Sequence, residues 1–328
     1  MSERPQVAWH RVALFYGIAF GMVSLLGAVF ALAHVDMAHG VPGIALTLTV
    51  AFLYMPMPLV AGLIVERVAG RRPLLRSTFA DFRHTWWRIG LVAVASAAAI
   101  YVIDMALLAV LGDVLHVPGI GELAATQTQV LANLGTALGP AASRADLSGL
   151  PPVAALYALG LVAGVGAGFS INGLFAFGEE YGWRGVLADE LSPLGPVRAN
   201  LLTGVMWGLW HAPMILLGYN YGTDRIAGVA MMCVWLVPFS FLLSRARQFS
   251  GSVAAPAVIH GAFNGSAGFF VMLVSGHTRL WTAPIGLLGA VTLTIVAAAT
   301  WRLTRGRLYE PSASSQPAIA EATRSSTM

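Results

Sequence analysis

The chain has 328 residues, of which 57% are hydrophobic and only 10% are charged. A soluble domain has about 25% charged residues. A water-soluble protein of this size could not cover its surface with the small number of charged residues present here. The composition therefore excludes an ordinary soluble protein and predicts an all-α, polytopic membrane protein. Every one of the 19 basic residues is an arginine, and they lie in short segments between apolar stretches. The placement of the arginines therefore indicates membrane topology, and the net charge of +4 does not indicate nucleic-acid binding.

Eight stretches are long and apolar enough to cross a bilayer as helices. They cover approximately residues 12–33, 44–65, 89–111, 153–177, 199–217, 226–243, 253–274 and 283–301. With the N-terminus in the cytoplasm, 16 arginines fall on the cytoplasmic side and three fall on the other side: Arg144, Arg225 and Arg279. This asymmetry predicts that both termini are cytoplasmic in a multi-pass protein of the plasma membrane. The lysine-free, arginine-rich composition favours a bacterial source.

The chain is predicted to divide into five segments. These are a cytoplasmic N-terminus (1–11), the N-terminal membrane helices with an outer loop (12–152), a membrane core (153–274), the last transmembrane helix (275–307) and a disordered cytoplasmic tail (308–328). The outer loop at 112–152 is the longest connection, and packing of this loop over the helix bundle is one expectation. The sequence shows no internal repeat of the kind found in many transporters.

Asp104 lies in the middle of the third apolar stretch, where a charged side chain is costly. It could line a cavity, but a hydrogen bond to a neighbouring helix is the favoured interpretation.

The fourth apolar stretch runs into a charged sequence, Glu-Glu-Tyr-Gly-Trp-Arg at 179–184. In a helix, Glu180 and Arg184 are four residues apart and share a face, so they can form an ion pair. Glu179 is rotated by about 100° from Glu180 and is expected to lack a partner. A partnerless carboxylate in an apolar cavity suits a general base. For this cluster alone, a solvated charge run at a helix end is an equal alternative.

Two further polar motifs follow on separate predicted spans. His211 lies four residues after Trp207, so the indole can pack beside the imidazole. His260 and Asn264 have the same spacing, and both side chains can donate hydrogen bonds to a developing oxyanion. Each motif alone is also compatible with a structural role, as a core histidine or as a hydrogen bond between helices.

Taken together, the three motifs supply a base, a partner for that base and oxyanion donors. The predicted topology places them toward the cytoplasmic side, with His211 deepest in the bilayer. They could therefore converge on one water-accessible pocket.

In this order, in the second half of an eight-span protein, the motifs resemble those of the CPBP intramembrane proteases. That family includes the CAAX prenyl endopeptidases, which remove the last three residues of prenylated proteins, and the bacterial Abi proteins. The resemblance covers residues from about 173 to 264. Trp207 departs from the family pattern, in which phenylalanine is commonest, but an aromatic ring is retained.

The resemblance implies a CPBP-like catalytic core at 153–274 that cleaves a membrane-associated or lipidated peptide or protein. Glu179 would activate water, and His211 would hold that water or share its proton. His260 and Asn264 would stabilise the oxyanion. The supporting residues would be Glu180, Arg184 and Trp207.

Metal dependence is left open by the sequence. The family is often described as metalloproteases, and Glu179, His211 and His260 could ligate a divalent ion such as zinc. The sequence lacks the His-Glu-x-x-His motif of common zinc proteases, which favours a glutamate mechanism without an obligatory metal.

Two other functions are compatible with the sequence. A proton-coupled transporter could use Glu179, Asp104 and the histidines as a relay, although the absence of repeats disfavours it. A non-catalytic immunity or scaffold protein could retain the fold, and its phenotype would survive Glu179→Gln. Besides a substrate, the expected partners are membrane lipids.

Overall fold

A computed structural model describes residues 6–38, 44–74, 82–139 and 149–309 of the chain. The described residues form an almost entirely helical bundle, which confirms the predicted all-α membrane fold. Its helices are α1 (Trp9–Leu32), α2 (Ile44–Thr49), α3 (Met57–Val68), α4 (Phe82–Leu108), α5 (Gln127–Leu138), α6 (Val153–Gly168), α7 (Ile171–Glu180), α8 (Ala188–Leu191), α9 (Pro196–Trp210), α10 (Ala212–Ile215), α11 (Arg225–Ser250), α12 (Ala254–Leu273) and α13 (Leu287–Leu303). Wider π-helical turns extend α2, α4 and α7 over Val50–Tyr54, Ala109–Val114 and Tyr181–Leu187.

Five helical segments are long and apolar enough to cross a membrane: Trp9–Leu32, Leu46–Val68, Thr85–Val114, Arg225–Ser250 and Ala254–Leu273. A sixth candidate is the pair Val153–Gly168 and Ile171–Leu194, which is bent by 56°. Helix α9 has 15 residues and α13 has 17, so both are shorter than the ~20 residues of a full span. The chain is thus a multi-pass membrane protein, while the count of eight spans and the cytoplasmic termini stay predictions.

The fourth predicted span, at 153–177, is a bent pair of helices instead of one continuous helix. The chain breaks between α6 and α7, and glycines let both helices approach α12. A Cβ at Gly168 would lie 2.4 Å from the Val258 carbonyl oxygen, and one at Gly261 would lie 2.4 Å from the Gly173 nitrogen. Such close backbone contacts are typical of small residues between membrane helices. They bring the end of α7, with its two glutamates, toward the face of α12 that carries His260.

The described part of the predicted outer loop packs against the end of α12. Strand β1 (Glu122–Leu123) pairs antiparallel with β2 (Val274–Ser275), and the Asn133 amide on α5 donates to the Met272 carbonyl oxygen at 3.0 Å. Residues 140–148 of this loop lie outside the described residues. So do residues 310–328, which make up most of the predicted tail, and residues 1–5 of the predicted N-terminal segment. The predicted division into five segments stays a prediction.

Candidate active site

The two glutamates lie where the regular helix α7 widens into its π-helical turn, and this whole turn is buried. Single π-helical turns inside helices occur frequently at functional sites. Gly182 allows the turn to contact α3, because a Cβ there would lie 2.4 Å from the Pro58 carbonyl oxygen. The hydroxyl of Tyr181 donates to the buried Glu66 carboxylate of α3 at 2.6 Å. The segment that carries the glutamates is therefore held from the N-terminal half of the chain.

Glu180 is fully buried and has two partners. Arg184 contacts it at 3.2 Å, from Nη1 to Oε2, so the ion pair predicted from the four-residue spacing is present. Nδ1 of His260 lies 2.9 Å from Glu180 Oε1, a contact that the spacing did not predict. Since a carboxylate only accepts hydrogen bonds, Nδ1 of His260 carries the proton in this pair. Glu180 thus connects the buried arginine of its own helix to the histidine of α12.

Glu179 is also buried, but the expectation that it lacks a partner is wrong. The indole N–H of Trp207 donates to Glu179 Oε2 at 2.9 Å. The two glutamates do point to different partners, as the helical rotation between neighbouring residues predicts. The partner of Glu179 comes from α9, 28 residues further along the chain, where a helical spacing rule gives no signal.

Trp207 lies at the centre of the cluster. Its ring centroid is 6.0 Å from that of His211 and 5.4 Å from that of His260, and the guanidinium carbon of Arg184 lies 4.0 Å from the Trp207 centroid. Phe239 of α11 stacks on the indole at 5.8 Å with an interplanar angle of 14°. One aromatic side chain therefore contacts three of the predicted catalytic residues, Glu179, His211 and His260, and Arg184.

His211 follows directly after α9, and its ring is held in a defined orientation. Nδ1 lies 2.8 Å from the Trp207 carbonyl oxygen, and Trp210 packs edge-on against the imidazole at 4.9 Å between centroids. Because a carbonyl oxygen only accepts, Nδ1 is the protonated nitrogen and Nε2 is the acceptor in the neutral ring. The predicted contact between Trp207 and His211 is present.

Asn264 lies one helical turn after His260, but the two residues differ in burial. His260 is 6% exposed, whereas Asn264 is on the exposed surface of α12. The structure therefore brings Glu179, His211 and His260 together around Trp207 and leaves Asn264 at the edge of this cluster.

Two tyrosines that the sequence analysis did not single out lie near Glu179. Tyr54 and Tyr219 are both close enough to interact electrostatically with the Glu179 carboxylate. The Tyr54 hydroxyl donates to the Trp210 carbonyl oxygen at 2.5 Å, which links the N-terminal helices to the end of α9. Tyr54 lies within an apolar stretch and Tyr219 lies in a turn after one, and neither position formed a motif that distinguished it in the sequence.

The donor set does not have the arrangement of a metal centre. Among the described residues, no group of three or more His, Cys, Asp or Glu side chains is placed to hold a metal ion. Nδ1 of His260 donates to Glu180 and Nδ1 of His211 donates to the Trp207 carbonyl, which leaves Nε2 as the free nitrogen of each ring. It is the placement of the side chains, and not these hydrogen bonds, that makes Glu179, His211 and His260 a poor fit to the metal site that they could have formed on sequence grounds.

The fold and this cluster define a class of protein: a multi-pass membrane protein with a glutamate, a buried ion pair and two oriented histidines gathered around one tryptophan. Residues 150–266 match the family model described as type II CAAX prenyl endopeptidase Rce1-like, which confirms the family resemblance of the motifs. All the candidate site residues lie inside this match.

One relative is CAAX prenyl protease 2 of Methanococcus maripaludis, which is 43% identical over 44 residues. This alignment spans 13% of the present chain and 16% of the relative. The similarity therefore covers a small part of both proteins.

Proposed function

We propose that the chain is an intramembrane endopeptidase that hydrolyses a peptide bond of a membrane-associated or lipidated polypeptide. The observation that carries the proposal is the meeting of Glu179, His211 and the Glu180–His260 pair around Trp207. This cluster lies in the region that matches the CAAX prenyl endopeptidase family. A general base, an acceptor for a water proton and a hydrogen-bond donor are the groups that peptide hydrolysis requires.

Glu179 acts as the base in the proposed reaction. It removes a proton from water while the water oxygen bonds to the carbonyl carbon of the substrate. The Trp207 N–H holds one oxygen of the carboxylate, so the other oxygen is oriented toward the water. The C–N bond then breaks, and the proton held by Glu179 passes to the leaving nitrogen. The products are a carboxylic acid and an amine, which ionise to a carboxylate and an ammonium group.

His260 and Asn264 stabilise the tetrahedral oxyanion. Nδ1–H of His260 donates to Glu180, so a neutral ring has no N–H left for the oxyanion. His260 therefore acts as an imidazolium that donates from Nε2, and the Glu180 carboxylate compensates its charge. Asn264 supplies a second donor from the exposed edge of the cluster. Nε2 of His211 accepts a hydrogen bond from the attacking water.

The positive-inside asymmetry supports a location in the plasma membrane with both termini in the cytoplasm, and the lysine-free composition favours a bacterial source. On that topology, the substrate bond is cleaved toward the cytoplasmic side.

The test is cleavage of quenched-fluorescent peptides, half of them lipidated, by the purified full-length protein in detergent. Glu179→Gln is expected to lower the rate about 10³-fold, since general base catalysis contributes 10²–10⁴-fold. The variant should remain folded, because glutamine still accepts the Trp207 hydrogen bond. A chelator is expected to leave the wild-type rate unchanged, because the donor set does not fit a metal site.

The matched control is Glu122→Gln, the same substitution at an exposed glutamate of β1, and its rate should equal that of the wild type. If the Glu179→Gln variant cleaved the peptides at the wild-type rate, the assignment of Glu179 as the base would be overturned. Cleavage that stops with the chelator and returns with zinc would replace the glutamate mechanism by a metal mechanism.

A further inference from the structure

An open groove of about 470 Å³ runs between α11 and α13 on the outer surface of the bundle. One wall is a stripe on α13 at helical spacing: Thr294, Ala297, Ala298 and Trp301. The other wall comes from α11 and includes Pro238 and Phe241, with Arg245 at one end. Along α11 the lining extends over nine residues, from Val237 to Arg245, or about 12 Å of helix. The groove is therefore an apolar channel with one charged end.

The groove is separate from the candidate active site. Phe239 faces the site, because it stacks on Trp207. Phe241 and Arg245 are rotated from Phe239 by about 200° and 240° around α11, so they lie on the far side of the helix. A molecule in the groove would be separated from Glu179 by the thickness of α11.

The charge of Arg245 is not neutralised by an acid in the described part of the chain. Its guanidinium donates only to neutral acceptors: the Thr304 hydroxyl at 2.7 Å, and the Trp301 carbonyl and the Gln248 amide oxygen at 3.4 Å each. The Arg305 guanidinium lies 5.3 Å from the Trp301 ring centroid, and Arg302 occupies the last turn of α13. No described Asp or Glu lies within ion-pair distance of these three arginines.

We propose that this groove binds one anionic phospholipid of the surrounding bilayer, with its phosphate at Arg245 and an acyl chain along the apolar walls. The positive-inside rule places the arginine end at the cytoplasmic leaflet, where anionic lipids meet basic residues of membrane proteins. Trp301, half exposed beside Arg245, has the amphipathic ring that favours the headgroup level. An acyl chain matches the apolar lining, and a phosphate matches the uncompensated guanidinium.

The lipid group of a substrate fits this groove less well than an anionic phospholipid does. In a prenylated CAAX substrate the lipid is attached next to the scissile bond, so it must lie close to Glu179. The groove is on the opposite face of α11, and a neutral prenyl chain offers nothing to Arg245. The proposal is also independent of the proteolytic function, because Arg245 takes no part in the proposed reaction.

The experiment measures quenching of tryptophan fluorescence by dibrominated phosphatidylglycerol and by dibrominated phosphatidylcholine in mixed detergent micelles. The signal of Trp301 is isolated by subtracting that of Trp301→Phe. We expect half-maximal quenching of the Trp301 fluorescence at a mole fraction of phosphatidylglycerol that is about fivefold lower than that of phosphatidylcholine. This difference corresponds to one basic residue near a lipid phosphate. Arg245→Gln should remove this preference, and Arg245→Lys should keep most of it. Arg225→Gln, at the other end of α11, is the matched control and should keep all of it.

Equal quenching of the wild type by the two lipids would overturn the proposal, as would an unchanged preference in Arg245→Gln. Displacement of brominated phosphatidylglycerol by an equimolar farnesylated peptide would assign the groove to substrate and equally overturn it. Circular dichroism verifies that each variant is folded. If Arg245→Gln does not fold, the lipid preference of Arg245→Lys still decides the test.

Discussion

Two fully buried carboxylates of this protein have very different surroundings. Glu180 contacts Arg184 and His260, each within 3.3 Å. Asp104, in the middle of α4, has no hydrogen-bond partner for either carboxyl oxygen among the described residues. Across the contact with α13, Thr292 is the polar side chain that interacts with Asp104. One carboxylate thus belongs to a connected network, and the other makes no hydrogen bond among the described residues although it interacts with the Thr292 hydroxyl.

The comparison teaches that burial alone does not identify a functional carboxylate. An acidic residue inside a membrane is costly, and it is retained where it is paired or where it holds helices together. The partners of Glu180 include a histidine that can donate to a reacting group, so its burial orients chemistry. Among the described residues, no histidine or arginine forms an ion pair with Asp104, and its interaction with Thr292 of α13 is a contact between two helices.

The largest expected effect comes from removing Arg184, the cation of the buried network that also contains Glu180 and His260. Arg184→Met keeps an apolar chain over Trp207 but leaves the Glu180 charge buried without its ion-pair partner. We expect the free energy of unfolding to fall by about 3–5 kcal/mol, measured by denaturation in detergent. Arg225→Met is the control, because its exposed pair with Asp36 should contribute less than about 1 kcal/mol.

A double variant separates charge from shape at this position. Glu180→Gln combined with Arg184→Met should recover part of the lost stability, because no unpaired charge is left in the interior. It should not recover activity. A double variant that is as unstable as Arg184→Met alone would show that the buried charge is not the cause.

Glu180→Gln alone is the next largest perturbation. The glutamine oxygen still accepts the hydrogen bond of His260, but a neutral amide cannot compensate an imidazolium. We expect kcat to fall about 10²-fold with KM nearly unchanged, in the range of general acid–base contributions. Glu190→Gln is the matched control, because Glu190 is also buried and paired with arginines, Arg11 and Arg71, but lies outside the cluster. An equal loss of kcat in both variants would reduce Glu180 to a structural role.

The sequence predicted the contacts that one helix determines. The pairs Glu180–Arg184 and Trp207–His211 follow from a spacing of four residues, and both are present. The helical fold was also predictable, because a bilayer forces backbone hydrogen bonds to close within each apolar segment.

Contacts between distant segments were not predictable in this way. The Glu180–His260 and Glu179–Trp207 contacts join residues that are 80 and 28 positions apart, and they depend on the angles between helices. The bend after Gly168 was hidden for a related reason. Glycine is tolerated inside membrane helices, so its presence did not predict a break.

Trp207→Phe tests the contact that the spacing missed. The substitution removes the N–H that Glu179 accepts and keeps a ring beside Arg184 and Phe239. Loss of a hydrogen bond of about 1 kcal/mol should lower kcat by about fivefold, with little change in stability. Trp210→Phe is the matched control, because it removes an indole hydrogen bond to the Ala19 carbonyl oxygen and leaves Glu179 untouched. If both variants lost kcat equally, the indole hydrogen bond to Glu179 would have no specific role.

The smallest effect is expected at the second carboxylate. Asp104→Asn keeps the shape of the side chain and still presents a polar group to Thr292 across the α4–α13 contact. We expect the free energy of unfolding to change by less than about 1 kcal/mol and kcat to stay within about twofold of the wild type. The same two measurements on Glu180→Gln complete the comparison. A loss of kcat at Asp104 as large as that at Glu180 would connect the two carboxylates functionally, as a proton relay across the bundle requires.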